Sequence, residues 1–325
     1  MSEFSPFTFL HVSDYHKGTP RSYRFEPAMA RRWSAIRRQM CAIEADLLLV
    51  GGDLTRDGDT HEFEYHAARE ELETLPFPSH VIPGNMDVGN KHTDRQGAWD
   101  DRDDMAMNMR SERLALFESV FGPTCWTFLH KEVRFTGFYA ALAGTGLPQE
   151  AQFWHFMEGL AGLPQARQHV AMMHYWLYID SPNEPNWDIT QEEQYLPWYF
   201  GIDEPHRSRI LECLRESSVD ILFCGHVHTG RPVEVVDGIR IYKTSSAGNA
   251  PQMVDRWDDA ETRFGFHRCT VGEHDIDVQF VPGEDQSQAQ GGFGPGGHPP
   301  IVGRDYSVAE EQPPLAPDPW LLPDP

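Results

Sequence analysis

The chain has 325 residues, 40% of them hydrophobic and 12% aromatic, enough to bury the core of one large α/β domain or two small ones. Lys+Arg 27 against Asp+Glu 50 leaves a formal charge of -23, a surface that repels nucleic acid and anionic membranes unless a local basic patch intervenes. No apolar run approaches the roughly 20 residues needed to cross a bilayer, so neither nucleic acid nor membrane is an expected partner.

Taken in order, apolar runs and helical periodicity alternate from Phe7 to Pro83. Phe7–Val12 reads as a buried strand. Met29, Trp33, Ile36, Met40 and Ile43 then step by four and three residues, the buried stripe of a helix. Its other face carries Arg31, Arg32, Arg37 and Arg38, read as a solvated face rather than a phosphate site. Leu47–Val50 is the next strand, residues 60–75 a helix and 79–82 the third strand. That βαβαβ order implies parallel pairing with right-handed crossovers.

Residues 90–108 are polar, with Asp100, Asp101, Asp103 and Asp104 almost consecutive, and read as a long surface loop. Leu114, Phe117 and Phe121 mark a short helix closed by Gly122-Pro123, and 126–142 reads as paired strands about Lys131-Glu132. Residues 170–173 and 221–223 read as buried strands with a helix at 205–217 between them. The stretches 232–236, 239–244 and 263–281 read as an antiparallel series, with turns at Asp237-Gly238 and Gly272-Glu273. Beyond residue 282, Gly and Pro clusters among Gln, Ser and acidic residues change the composition. The expected organisation is one domain over 1–282 and a disordered Pro/Gly-rich tail over 283–325, with Trp320-Leu321-Leu322 an ordinary frayed end. Five scattered cysteines without a C-x-x-C pair read as free thiols of a reducing compartment. The first residues lack a basic, cleavable leader pattern, so a cytoplasmic location is expected.

Five short clusters place hard-metal donors just past apolar runs: Asp14-Tyr15-His16, Gly51-Gly52-Asp53, Gly84-Asn85-Met86-Asp87, His174, and Gly225-His226-Val227-His228. Asp14 and His16 are two apart, so on a continuing strand both point the same way and serve one cation. Asp53 follows two glycines, where absent side chains let the backbone approach a neighbour closely, and its two oxygens can bridge two cations. Asn85 adds a neutral amide oxygen. His226 and His228, again two apart, can give one imidazole to each metal, and His174 completes the set. Each cluster alone is a weak signal, but here all five occur in order, each at a strand terminus.

The series D-x-H, G-D, G-N-[H]-[DE], H, G-H-x-H resembles the calcineurin-like metallophosphoesterases, particularly the branch of class III cyclic-nucleotide-phosphodiesterase-like enzymes, from about Phe7 to Ala250. The resemblance implies an α/β fold, a four-layer α/β/β/α metallophosphoesterase sandwich with mixed sheets, and two metal ions at the strand ends. It implies Asp14, His16, Asp53 and His228 as ligands of the first metal. Asp53 as bridge, Asn85, His174 and His226 would hold the second. It also implies Fe, Mn or Zn, in keeping with mixed N/O ligation and no thiolate, with Mn2+ expected to support activity. The implied function is hydrolysis of a small phosphorylated substrate, a phosphodiester or phosphomonoester, by metal-activated hydroxide. Asp53 and Asn85 then stand at the catalytic centre. No side-chain nucleophile is needed, so Cys224 beside Gly225-His226 is not one.

One position departs from that pattern. Where the family's His follows the motif Asn, this chain has Met86, whose thioether neither donates a proton nor carries charge. Loss of a general acid costs on the order of 10²–10⁴-fold in rate. Three readings stay open: His92 or His206 takes over as the acid, the leaving group is good enough to need none, or the chain is a metal-bound module that binds a phosphorylated ligand with little turnover. Trp176, Tyr178, Trp187, Tyr195, Trp198, Tyr199 and Phe200, interleaved with acidic residues, read either as an aromatic lid for an organic leaving group or as packing of a long loop. Lys243-Thr244-Ser245-Ser246 is a weak candidate for rim donors.

Overall fold

Burial on both faces of the central strands sorts the molecule into layers. The computed structural model describes residues 4–19, 22, 25–97 and 101–288. β1 (Phe7–Val12), α1 (Pro27–Cys41), β2 (Leu47–Val50), α2 (Glu62–Glu73) and β3 (Ser79–Val81) form two parallel crossovers, followed by the one-turn helix α3 (Asn85–Val88) and by α4 (Ser111–Phe121). β4 (Trp126–His130) and β5 (Val133–Gly137) make a hairpin, then come α5 (Pro148–Gly159), β6 (Gln168–Met173), α6 (Glu192–Phe200), α7 (His206–Glu216) and β7 (Ile221–Cys224). β8 (Glu234–Val236), β9 (Ile239–Lys243), β10 (Gly265–Val271) and β11 (Ile276–Pro282) complete the chain of elements. One sheet runs β11-β10-β1-β2-β3 and the other β4-β5-β6-β7-β9-β8. Both mix parallel and antiparallel pairs.

Because side chains alternate across a strand, each central strand supplies two cores. Phe7, Phe9, Leu47 and Leu49 meet Val133, Phe135, Val170, Met172, Ile221 and Phe223 between the sheets. The intervening Leu10, Val12, Leu48 and Val50 join Trp33, Ile36 and Met40 of α1, while Ala171, Met173 and Leu222 join Met157 of α5 and Ile210 of α7. Strands covered on both faces carry unbroken apolar runs, which is why Leu47–Val50 has no polar residue. The result is the expected four-layer α/β/β/α sandwich.

Several local expectations change. The series after residue 232 is split, since β8 and β9 extend one sheet while β10 and β11 extend the other. Residues 90–97 and 101–108 are more folded than a surface loop: Asn90 bridges Asn108, Gln96 bridges Asp104, and buried Asp103 accepts from Arg95 Nε at 3.1 Å; Asp100 lies outside the described residues. Arg32 is not solvated. It is 1% exposed, covers the Phe264 ring at 4.1 Å and donates to the carbonyls of Gly248 and Ser287. Those partners lie over 200 residues away, beyond what a helical stripe reveals. Residues 283–288 are held beside α1, where Glu284 N–H donates to Gln39 Oε1 at 2.8 Å. Residues 289–325, with Trp320-Leu321-Leu322, lie outside the described residues. Cys213, Cys224 and Cys269 are buried, Cys41 is exposed, and none of the five cysteines is in a disulfide. Among the described residues no helix is long and apolar enough to cross a membrane.

Candidate metal centre

The donor residues gather where β1, β2, β6 and β7 end, but strand alternation is not what aims them. β1 stops at Val12, and Asp14 and His16 adopt φ of 59° and 49°. Asp53, His226 and His228 are left-handed as well, at 50°, 71° and 63°. Each such conformation costs a non-glycine residue about 1–3 kcal/mol and persists only when the surroundings over-determine it. Here a backbone mesh does so. Asp14 N–H donates to Gly52 O at 3.0 Å, His16 N–H to Asp53 O at 3.1 Å, and Gly248 N–H to Asp14 O at 3.1 Å. His226 N–H donates to both carboxylate oxygens of Asp14 at 3.1 Å. The glycines act as expected: a Cβ on Gly52 would come within 2.5 Å of His174 Nδ1.

Two adjoining groups of buried donors result, Asp14, His16, Asp53 and His228 in one, and Asp53, His174 and His226 in the other. In the first, His16 Nε2 is 3.3 Å from His228 Nε2 and 3.7 Å from Asp53 Oδ2, while His228 Nε2 is 3.4 Å from Asp14 Oδ1. In the second, His174 Nε2 is 3.4 Å from Asp53 Oδ1 and 3.3 Å from Asn85 Oδ1. The two Asp53 oxygens thus face different groups. Nδ1 of His174 pairs with Gly51 O at 2.9 Å and Nδ1 of His228 with Ala250 O at 2.8 Å, which leaves each Nε2 turned inward. The Asn85 amide nitrogen donates to Tyr199 Oη at 2.8 Å and Asn90 Oδ1 at 3.1 Å, so its oxygen faces His174. Seven oxygen and nitrogen donors, oriented by their outer partners and with no thiolate, suit hard or borderline cations.

Electrostatics point the same way. Burial alone would raise the Asp14 carboxyl, yet the imidazoles of His228 and His174 hold it below its ordinary value. Burial also opposes charge on His174, but the carboxylates of Asp53 and Asp14 lift it to about 9. His226 is pushed well below its ordinary value by burial and then by His174 and His228. Its ring lies 4.1 Å from Tyr175, 4.9 Å from Phe200 and 5.0 Å from Tyr199. An environment that draws a proton onto His174 beside two carboxylates accepts a cation in that proton's place.

The residues around Met86 are arranged differently from the sequence reading. Met86 contributes its backbone, with N–H donating to Asp53 Oδ1 at 2.8 Å. Asp87 has no imidazole to orient and instead accepts from Gly84 N–H, Leu54 N–H, Thr55 N–H and Thr55 Oγ1 at 2.7–3.2 Å, tying the loop after β2 to the loop after β3. Burial, and then the charge of Asp53, push its carboxyl up to about 7. His92 Nε2 pairs with Met109 O at 2.8 Å. His206 stacks on Trp154 at 6.0 Å beside Gly144. Neither joins a donor group.

The aromatic segment is core rather than an open lid surface: Trp176, Tyr178, Tyr195, Trp198, Tyr199 and Phe200 are all buried. Lys243 is no rim donor, because its Nζ is taken by Ile179 O and Glu234, and Ser246 Oγ is committed to Asp14 O. Burial pushes the Cys224 thiol up to about 12, in keeping with its exclusion as a nucleophile. Two positioning residues escaped the sequence reading. One is Tyr199, on the Asn85 amide. The other is Lys91, whose Nζ reaches Trp198 O at 2.6 Å, Gly201 O at 3.0 Å and Asp203 at 3.0 Å, fastening the start of the loop after α3 to the end of α6.

Fold and site together define an α/β sandwich with two adjoining groups of metal-ligand side chains that share one carboxylate. A model of the calcineurin-like phosphoesterase family matches residues 7–230, and the chain belongs to that family. Its fold is similar to a purple acid phosphatase from yellow lupin (Lupinus luteus) seeds, with a TM-score of 0.60 and 14% identity over 88% of this chain and 53% of that one. The chain therefore spans about half the length of the lupin protein. It is also similar to GAP50, the anchor in the inner membrane complex of Plasmodium, with a TM-score of 0.53 and 12% identity over 94% and 93% of the two chains. A search of curated proteins finds no match. At these identities the likeness is one of fold.

Proposed function

We propose that the chain is a dinuclear-metal hydrolase of a small phosphate ester, related within its family to the class III cyclic-nucleotide-phosphodiesterase-like branch. The observation that carries this reading is Asp53, whose carboxylate belongs to both donor groups, as a bridge between two cations requires. Bound by those groups, Fe, Mn or Zn would supply an activated water and neutralise charge on the phosphoryl oxygens. The chain's own part is positional. The Met86 N–H and the neighbouring Gly84 fix Asp53, Tyr199 and Asn90 present the Asn85 oxygen, and carbonyls turn the imidazoles inward. With His92 and His206 engaged elsewhere, the structure favours a substrate whose leaving group departs without a proton donor. Free cysteines support action in a reducing compartment.

The test is hydrolysis of a p-nitrophenyl phosphodiester by the Mn-loaded chain, with Asp53→Asn alongside. Turnover that falls at least about 100-fold in the variant, together with lost metal, is expected. Two bound metals with no turnover of any mono- or diester would instead favour the metal-bound module that binds a phosphorylated ligand, the reading Met86 leaves open.

A further inference from the structure

The loop of residues 246–250, just after β9, braces two donors of the first group at once. Ser246 Oγ donates to Asp14 O at 2.7 Å and Gly248 N–H to the same oxygen at 3.1 Å, while Ala250 O pairs with Nδ1 of His228 at 2.8 Å. A Cβ on Gly248 would stand 2.5 Å from Tyr15 O, so the loop lies directly on the backbone that turns Asp14 and His16. The second group is oriented from elsewhere, His174 by Gly51 O and Asn85 by Tyr199 and Asn90.

A buried cation on α1 holds that loop in turn. Arg32, 1% exposed, donates to Gly248 O from one arm and to Ser287 O at 2.6 Å from Nε. Ser287 is delivered by residues 283–288, a strap that follows β11. Gly283 N–H donates to Phe264 O at 2.7 Å. The Gln286 amide pairs with both backbone groups of Phe264 at 2.9 Å, and the Phe264 ring lies 4.1 Å from the guanidinium carbon of Arg32. Because a guanidinium is a rigid planar fork, it fixes its two carbonyls at a set bearing to each other. Strap, helix and loop thus form one hydrogen-bonded series that ends on Asp14 and His228.

We propose that residues 283–288, acting through Arg32, set the affinity of the first donor group for its cation, so that the end of the domain tunes one metal of the pair and not the other. The inference rests on the dinuclear-metal reading. Arg32 is here a positioning residue: without it the buried Gly248 carbonyl loses its donor, and the loop is released from Asp14 and His228. Loss of such an outer support costs about 10- to 100-fold in metal affinity.

Mn2+ titration of the full chain, followed by electron paramagnetic resonance, tests this on wild type, Arg32→Met, Arg32→Lys and Gln286→Ala, with thermal unfolding of each sample. Expected in Arg32→Met is one site weakened about 10- to 100-fold and the other within twofold of wild type, the signal of a coupled pair giving way to that of a single ion. Arg32→Lys should recover part of the loss. Gln286 is only half-buried, so Gln286→Ala cuts the strap without opening the core and should weaken the same site to a smaller degree. His226→Ala, which removes a donor of the second group alone, identifies the site: one tight site remains in that variant and none once Arg32→Met is added. Two unaltered sites in folded Arg32→Met overturn the proposal, as does a tight site that survives in the double variant. Equal weakening of both sites also overturns it, by making Arg32 a general support of the fold. Should Arg32→Met fail to fold, two unaltered sites in Gln286→Ala overturn it. Wild type that holds two Mn ions under the control of Arg32 but hydrolyses no ester would sink the hydrolase reading and leave the strap standing. Active wild type with unaltered variants would sink the strap alone.

Discussion

Gly84 has no room for a methyl group. A Cβ there would stand 2.1 Å from Asp53 Oδ1, 2.3 Å from Asp53 N and 2.8 Å from its Cγ, whereas non-bonded heavy atoms settle at about 3.5 Å. Its φ of -112° suits alanine, so space alone decides. The oxygen in the way faces His174 and accepts the Met86 N–H. Gly84→Ala must therefore drive the shared carboxylate or the α3 turn aside by about 1 Å. Displacement of that size at a reacting centre costs on the order of 100-fold in rate, and overpacking costs about 1–3 kcal/mol of stability. The assay combines metal content after dialysis, kcat/KM for a p-nitrophenyl ester and thermal unfolding. Expected are fewer than two metals per chain, kcat/KM lower by about two orders of magnitude and a lower Tm. Gly159→Ala, whose Cβ meets nothing within 4 Å, serves as the neutral control. If Gly84→Ala keeps two metals and kcat/KM within threefold of wild type, close packing is not what places Asp53.

Tyr199→Phe removes the hydroxyl that turns the Asn85 amide while keeping the ring. Affinity for one of two Mn ions should fall about 10- to 100-fold with the other unchanged, read by Mn titration, and two unaltered sites would remove Tyr199 from the centre. Between the sheets, burial pushes His267 down to about 4; burial, and then His267, push His11 well below its ordinary value. The unfolded chain takes up the His267 proton from about pH 6.5 downward and the folded chain only near 4, so stability is lost as pH falls through that window, by about 3 kcal/mol for His267 alone, and the lowered His11 adds a loss of the same sign. Urea unfolding of His267→Phe between pH 7 and 4.5 should show a flatter decline, and an unchanged slope refutes the assignment.

Much of this was legible in the chain because it is repeated locally. The strands Phe7–Val12 and Leu47–Val50 match their apolar runs residue for residue, and every donor sits in a short cluster beside such a run. What escaped depends on long-range or conformational detail. The left-handed φ of Asp14 and His16 leaves no trace in residue spacing, so the strand alternation that their spacing suggests is not the geometry that brings them together. The partners of Asp87 leave no mark in the sequence, because they include backbone amides of Leu54 and Thr55, which any sequence would supply. α5 has no clear signature in the sequence, because its buried Phe153, Trp154 and Met157 form too short a stripe to stand out from the loops around it. The partition of the last four strands between two sheets is decided by which edges remain open, a property of the assembled fold.

The left-handed backbone at five donor positions bears on transplantation. Copying the seven donor side chains onto the strand ends of another α/β protein would reproduce the chemistry of the ligands but not their aim, since ordinary strand geometry sends Asp14 and His16 elsewhere. A working graft would have to carry the loops entire, with Gly52, Gly84 and the mesh of amides that forces the turns. The unit of inheritance for this centre is thus the loop with its backbone shape. The strands beneath serve as interchangeable footing.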